Sequence, residues 1–263
     1  MAEERTHDIA EPRLLCAHSC RAWQPYALAL FAVVVSSAVS LAVAPKAARW
    51  ALPLVNVALF YPAFLALVVT GQRRRALAAS FAWAALSSVA IVSISFLRPD
   101  SFGPAVLRGI SYRDEMFTWV TTGIGAESRP SQFLPQHALH LAAFTVLSFV
   151  SVGFLGLAMG AILLNYMNFY YGALIAEAHN PLGAALLGWP IWAMLRVAGY
   201  IFLGVALADL GCSVIWRRRK PDWDHVLKFL LPGLALVVAD VVLKTVLAAA
   251  WRIPLAHFFG VSY

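Results

Sequence analysis

Residues Leu134–Ala178 read LPQHALHLAAFTVLSFVSVGFLGLAMGAILLNYMNFYYGALIAEA, forty-five residues whose one carboxylate, Glu177, stands next to the end. As a single helix this stretch would rise about 68 Å at 1.5 Å per residue. That is more than twice the ~30 Å hydrocarbon core of a bilayer, so the chain has to turn back inside it. Gly156 and Gly160 are the expected place, although glycines four apart are also a helix-packing spacing. The reading gives two spans, at about Leu134–Leu155 and Ala161–Ala178, the second ended by His179-Asn180-Pro181.

The same pattern continues in both directions. Downstream, Leu182–Trp216 is too long for one crossing, and Gly188-Trp189-Pro190 is expected to kink or interrupt it. A last span follows at about Val226–Ala250. Upstream lie spans at about Trp23–Ala44, Trp50–Thr70 and Ala76–Leu97. Ala42-Val43-Ala44 has the small-residue form of a signal-peptidase site, but the apolar run before it exceeds a signal-peptide core, so an uncleaved anchor is expected.

Four segments result. Residues 1–22 form a polar cytoplasmic tail, 23–97 a three-helix membrane unit, and 134–263 a C-terminal membrane bundle. Between the last two, residues 98–133 form an extracytoplasmic insertion broken by Pro99, Gly103, Pro104, Gly123, Gly125 and Pro130. Within it, Tyr112–Val120 mixes Met116, Phe117 and Trp119 with Arg113, Asp114 and Glu115, as in a short helix lying at the membrane surface. The fold class expected is all-α, a polytopic transmembrane helical bundle of about seven spans with broken or kinked helices in its C-terminal half.

Composition agrees with a bilayer as solvent. Of the 263 residues, 61% are hydrophobic and 13% charged, against roughly 45–50% and ~25% in soluble domains. A soluble enzyme, a nucleic-acid-binding domain and a disulfide scaffold are excluded on that ground. The net charge of +7 is concentrated in Arg73-Arg74-Arg75 and Arg217-Arg218-Arg219-Lys220, each beside an apolar run. Such clusters mark cytoplasmic loops and meet anionic lipid headgroups. With the N-terminus inside and seven crossings, ten basic residues face the cytoplasm and seven face outward. Both dense clusters fall inside only if Leu134–Trp216 crosses three times. Trp23, Trp50, Trp216, Trp223 and Trp251 sit near span ends, as interfacial belts require.

Charges inside spans are the informative residues, since each costs about 2.5–3.5 kcal/mol to insert. Arg196 lies mid-span, as does Asp240, with Lys244 one turn further on. Asp240 and Lys244 can neutralise each other as an i,i+4 pair, and Asp240 is the carboxylate in reach of Arg196. Together with Asn165 and Asn168 they make an intramembrane polar cluster, readable as a structural tie or as an ion or solute path. His137 and His140 share a helix face, and with Glu115 they could hold a metal for a membrane hydrolase. Residue 138 is Ala, so His-Glu-x-x-His is not formed, although Phe133-x-x-x-His137 has the form of one motif of CAAX-type membrane proteases. Cys16-Ala17-His18-Ser19-Cys20 reads as a reduced cytoplasmic pair. Glycine-rich phosphate loops and a G-x-S-x-G elbow are absent from the sequence. No cofactor is expected.

The stretch Leu163–Leu174, with Asn165, Asn168 and Gly172, followed by Leu186-Leu187-Gly188-Trp189-Pro190 and the small-residue run Ala198–Gly211, resembles the stage II sporulation protein M family of membrane proteins. The resemblance covers about residues 134–211. Phe169 stands where that family has Gly, Ile191-Trp192 replaces its His-Gly, and Leu195-Arg196 occupies its usual glutamate position. It implies a non-enzymatic component that positions other envelope proteins. The expectation is therefore an inner-membrane scaffold with its N-terminus in the cytoplasm and the 98–133 insertion as docking surface. A small-solute or ion permease using Arg196, Asp240 and Lys244 is the first alternative. A metal-dependent intramembrane hydrolase at His137 and His140 is the second.

Overall fold

The computed structural model describes residues 23–43 and 45–260. The tail 1–22, with Cys16 and Cys20, lies outside them. The described residues contain helices and no strand. The first three helices are α1 (Gln24–Ala42), α2 (Pro45–Val69) and α3 (Arg73–Leu97). Next come the short α4 (Pro99–Phe102) and α5 (Gly109–Thr122), then α6 (Pro130–Val150) and α7 (Phe154–Glu177). The chain ends with α8 (Pro181–Leu187), α9 (Ile191–Gly211) with a π-helical turn over Cys212–Trp216, and α10 (Trp223–His257).

Six of these, α1, α2, α3, α6, α9 and α10, are long and apolar enough to cross a membrane, and the chain is a multi-pass membrane protein. The seventh long helix, α7, has 24 residues, enough to rise about 36 Å. Its second half carries Asn165, Tyr166, Asn168, Tyr170 and Tyr171, polar groups that a lipid-facing surface disfavours. Its position accommodates them. It packs against α2, α3, α5, α6, α8 and α9, and Leu164–Tyr170 is buried throughout. A helix shielded by other helices need not be apolar on a lipid-facing side.

The turn between α6 and α7 falls at Ser151–Gly153, not at Gly156–Gly160. Val152 and Gly153 both take positive φ, +52° and +93°, and the Gly153 amide donates to the Ser148 carbonyl at 2.7 Å. A left-handed glycine is the ordinary device for ending a helix. Gly156 instead lies inside α7, packed against Ser148 of α6. The break at Gly188–Pro190 occurs as expected, since Pro190 offers no amide to continue α8.

The two basic clusters come to one end of the bundle. Arg73 Nε lies 2.8 Å from Asp209, and the Arg217 guanidinium donates to the carbonyl of Val69. At the other end, α4, α5 and α8 close over the helix ends. Met116, Trp119 and Val120 of α5 are buried in one core cluster with Phe169, Tyr170 and Leu255. The His179 amide donates to Phe258, and Trp251 Nε1 donates to Leu187, each at 2.8 Å. The apolar face of α5 thus turns inward, onto α7 and α10. Trp23, Trp50, Trp216 and Trp223 are exposed at helix ends, where amphipathic rings sit at the headgroups.

Helices α2 and α3 share a buried polar tie. Trp83 Nε1 donates to Asn56 Oδ1 at 2.8 Å, and Asn56 Nδ2 donates to Ser87 Oγ at 3.2 Å. Replacing Asn56 by Leu strands the Trp83 donor and the Ser87 hydroxyl. The expected loss is about 1–3 kcal/mol, read as a lower thermal midpoint in detergent. An unchanged midpoint would mean that both groups find other partners.

Candidate functional site

Four charged side chains meet below the α4–α5 cap. Arg196 comes from α9, Asp240 and Lys244 from α10, and Glu127 from the 3-10 turn before α6. Arg196 Nε and Nη2 donate to the two Asp240 oxygens at 2.8 and 2.9 Å, a bidentate fork. Lys244 Nζ donates to Glu127 Oε1 at 2.8 Å and lies 4.5 Å from the centre of the Phe133 ring. Asp240 is 0% and Lys244 1% exposed. Two cations and two anions balance, which is the condition for keeping such charges out of water.

Sequence logic identified the Arg196–Asp240 pair, and the structure forms it. It assigned Lys244 to Asp240 as well, whereas the lysine pairs with Glu127. Glu127 gives no signal in the sequence, because it sits in a polar insertion where a carboxylate carries no cost. Once Arg196 occupies both Asp240 oxygens, Lys244 needs its own partner, and only the folding-in of the insertion supplies it.

His137 completes the group. Its Nδ1 lies 2.9 Å from the Phe133 carbonyl, which can only accept, so the hydrogen is on Nδ1. Nε2 then presents a lone pair, buried and without a hydrogen-bond partner among the described residues, 3.7 Å from Asp240 Oδ2. His140 and Glu115 line the same small polar cavity, about 40 Å³, together with Glu127, His137, Arg196 and Lys244. Among the described residues no three His, Cys, Asp or Glu side chains are grouped as metal ligands. Tyr112, from α5, borders the cavity, and burial pushes its phenol well above the usual tyrosine range, with Glu127 adding to the shift. It therefore acts there as a neutral hydroxyl.

Asn165 and Asn168 are placed elsewhere on α7. Asn168 Nδ2 donates to Ser88 Oγ of α3 at 3.0 Å, and neither asparagine lines the polar cavity. Asn165 is 3% exposed, and its amide has no partner among the described residues. Two further cavities touch Arg196. One, about 20 Å³, lies under the α8–α9 break between Tyr170, Trp189 and Pro190. The other, about 70 Å³, runs toward the basic end between α7 and α9 and is almost wholly apolar.

No family model matches the chain, and no curated protein or solved structure matches it. The class that fold and site define is a multi-pass membrane protein with a buried ionic quartet.

Proposed function

We propose that the chain is a permease of the inner membrane, taking a small solute at Arg196, Asp240, Lys244 and Glu127. The observation that carries this reading is the joining of buried charges to space. A purely structural ion pair is served by close packing, whereas three of these four side chains, Glu127, Arg196 and Lys244, line a polar cavity and Arg196 opens on two more. The helix interrupted at Gly188–Pro190 passes beside it, as broken helices do in solute sites within bilayers. The basic end, carrying Arg73–Arg75 and Arg217–Lys220, faces the cytoplasm and its anionic lipids. Helix α1 begins beside Ala66 and Leu67, so the start of α1 lies on the same side.

A scaffold of the kind implied by the stage II sporulation protein M resemblance would use the 98–133 insertion for docking. Burial of Met116, Trp119 and Val120 withdraws its apolar face from that use, so the permease is the reading favoured here. Among the described residues no grouped ligand set supports the metal-dependent hydrolase at His137 and His140.

The test is uptake by proteoliposomes holding the purified full chain, with panels of labelled small carboxylates, amines and inorganic ions. Wild-type protein is expected to move at least one solute faster than protein-free vesicles. The double variant Arg196→Gln, Asp240→Asn, which keeps a hydrogen-bonded pair without charge, is expected to lose that uptake. Uptake equal in both proteins, or absent from wild type across the panels, would overturn the reading.

A further inference from the structure

The largest of the three cavities has the wrong lining for a polar solute. It is bounded by Leu157, Leu163, Val197, Ile201 and the glycines of α7 and α9, and its one charged lining residue is Arg196. Its volume, about 70 Å³, would admit about five water-sized groups in line, but such a surface holds water poorly and takes hydrocarbon. Gly160 and Gly204 create the space. A Cβ built on Gly160 meets nothing within 4 Å, and one on Gly204 meets only Phe144, at 3.4 Å. Gly160, Gly204, Val197 and Ile201 are half-buried, so the slot opens sideways between α7 and α9 toward the bilayer.

At its inner end the chemistry reverses within one side chain. Asp240 takes Nε and Nη2 of Arg196, leaving Nη1 without a partner among the described residues. Beyond it, in the cavity under the α8–α9 break, the Tyr170 hydroxyl and the Trp189 indole N–H are buried with no partner among the described residues. Tyr170 is 4% exposed. Unpartnered buried donors cost about 1–3 kcal/mol each, and here they converge with a guanidinium on one small space. Glu127 lines the same cavity, but its carboxylate is held by Lys244, so the groups left over are donors, and they take an oxyanion.

We infer that the solute is a single-chain anionic amphiphile, a medium-chain carboxylate, with its head against Arg196, Tyr170 and Trp189 and its chain in the α7–α9 slot. The inference rests on the permease reading for its site but adds the chain. A small carboxylate would satisfy the head alone and leave the slot without purpose. The narrow head cavity, about 20 Å³, suits a carboxylate, and a phosphate monoester on the same chain shares the oxyanion chemistry. Gly160, which in the sequence belongs to the expected turn, then serves to keep one side of α7 open, while Gly156 packs against Ser148 of α6.

The test is scintillation proximity with the full chain in nanodiscs and tritiated dodecanoate, with empty nanodiscs subtracted for partitioning. Saturable binding is expected, displaced by unlabelled dodecanoate, displaced by dodecyl phosphate if the site accepts either oxyanion, and unaffected by dodecyltrimethylammonium. Acetate is expected to compete roughly a hundredfold less well. Gly160→Leu puts a side chain into the slot from a position whose Cβ meets nothing within 4 Å and raises helix propensity, so the chain should fold, checked by circular dichroism and gel filtration. It should bind dodecanoate about tenfold more weakly. Binding no different from empty nanodiscs, acetate competing as well as dodecanoate, or Gly160→Leu leaving binding unchanged would each overturn the inference. Any of these beside proteoliposome uptake sensitive to the Arg196, Asp240 double variant leaves the permease reading standing. Dodecanoate binding without uptake of dodecanoate or any panel solute would overturn the permease and keep the amphiphile site.

Discussion

Asp240→Ala is expected to destabilise the folded chain by about 3–5 kcal/mol, the usual result of removing one partner from a buried ion pair. Asp240 is fully buried and accepts both hydrogen bonds of the Arg196 fork. Without it the guanidinium keeps its charge in a low-dielectric interior, beside Lys244 and with Glu127 already taken. The measurement is the thermal midpoint and the monodisperse fraction in detergent. The companion variant Arg196→Met, Asp240→Val removes both charges at roughly similar total volume and should recover most of the loss, because an apolar pair has no desolvation cost. It should also abolish uptake, which separates the stability of the pair from its use. If Asp240→Ala were as stable as wild type, the pair would have to be hydrated and the site would not be buried.

Gly172→Val should be nearly as damaging, by packing and not by charge. A Cβ at Gly172 would stand 2.5 Å from Ser95 Cβ and 2.6 Å from the Val92 carbonyl oxygen of α3. The obstacle is backbone, which does not move aside like a side-chain tip. Overpacking typically costs about 1–3 kcal/mol, and the upper end is expected because α7 also packs against α2, α5, α6 and α8, which limit its shift away from α3. Gly160→Ala, on the same helix but facing open space, should instead raise stability by about 0.5–1 kcal/mol through helix propensity. Thermal midpoints of the two variants side by side give the comparison. Equal effects would mean that α3 and α7 do not approach as closely as Gly172 and Ser95 indicate.

These contrasts show what could be read from the residues. The long apolar runs, the break at Gly188-Trp189-Pro190 and the pairing of Arg196 with Asp240 were legible because each has a local cause. Hydrocarbon length, a missing amide and the cost of an unpaired charge all act within a segment or between two rare charges. The α6–α7 turn was displaced because Gly153, Gly156 and Gly160 look alike in sequence. Which of them takes positive φ depends on where Phe64, Ser148 and Ala208 press against the chain. The partner of Lys244 was misassigned for a related reason. A carboxylate at i−4 is close by on the helix, but Asp240 is consumed by a residue on another helix.

By itself, the sequence determined that this protein lives in a bilayer as a helical bundle, because 61% hydrophobic residues in repeated spans have no other stable solvent. It also determined that the basic clusters mark one side, since charge of one sign beside apolar runs is a local signal. Tertiary structure alone decided that the 98–133 insertion folds back over the bundle and delivers Glu127 to Lys244. It alone decided that α7, with its asparagines and tyrosines, runs through the centre. Both follow from one requirement: a polar group in hydrocarbon must find its partner within the protein, and only the packed arrangement of helices shows which partner that is.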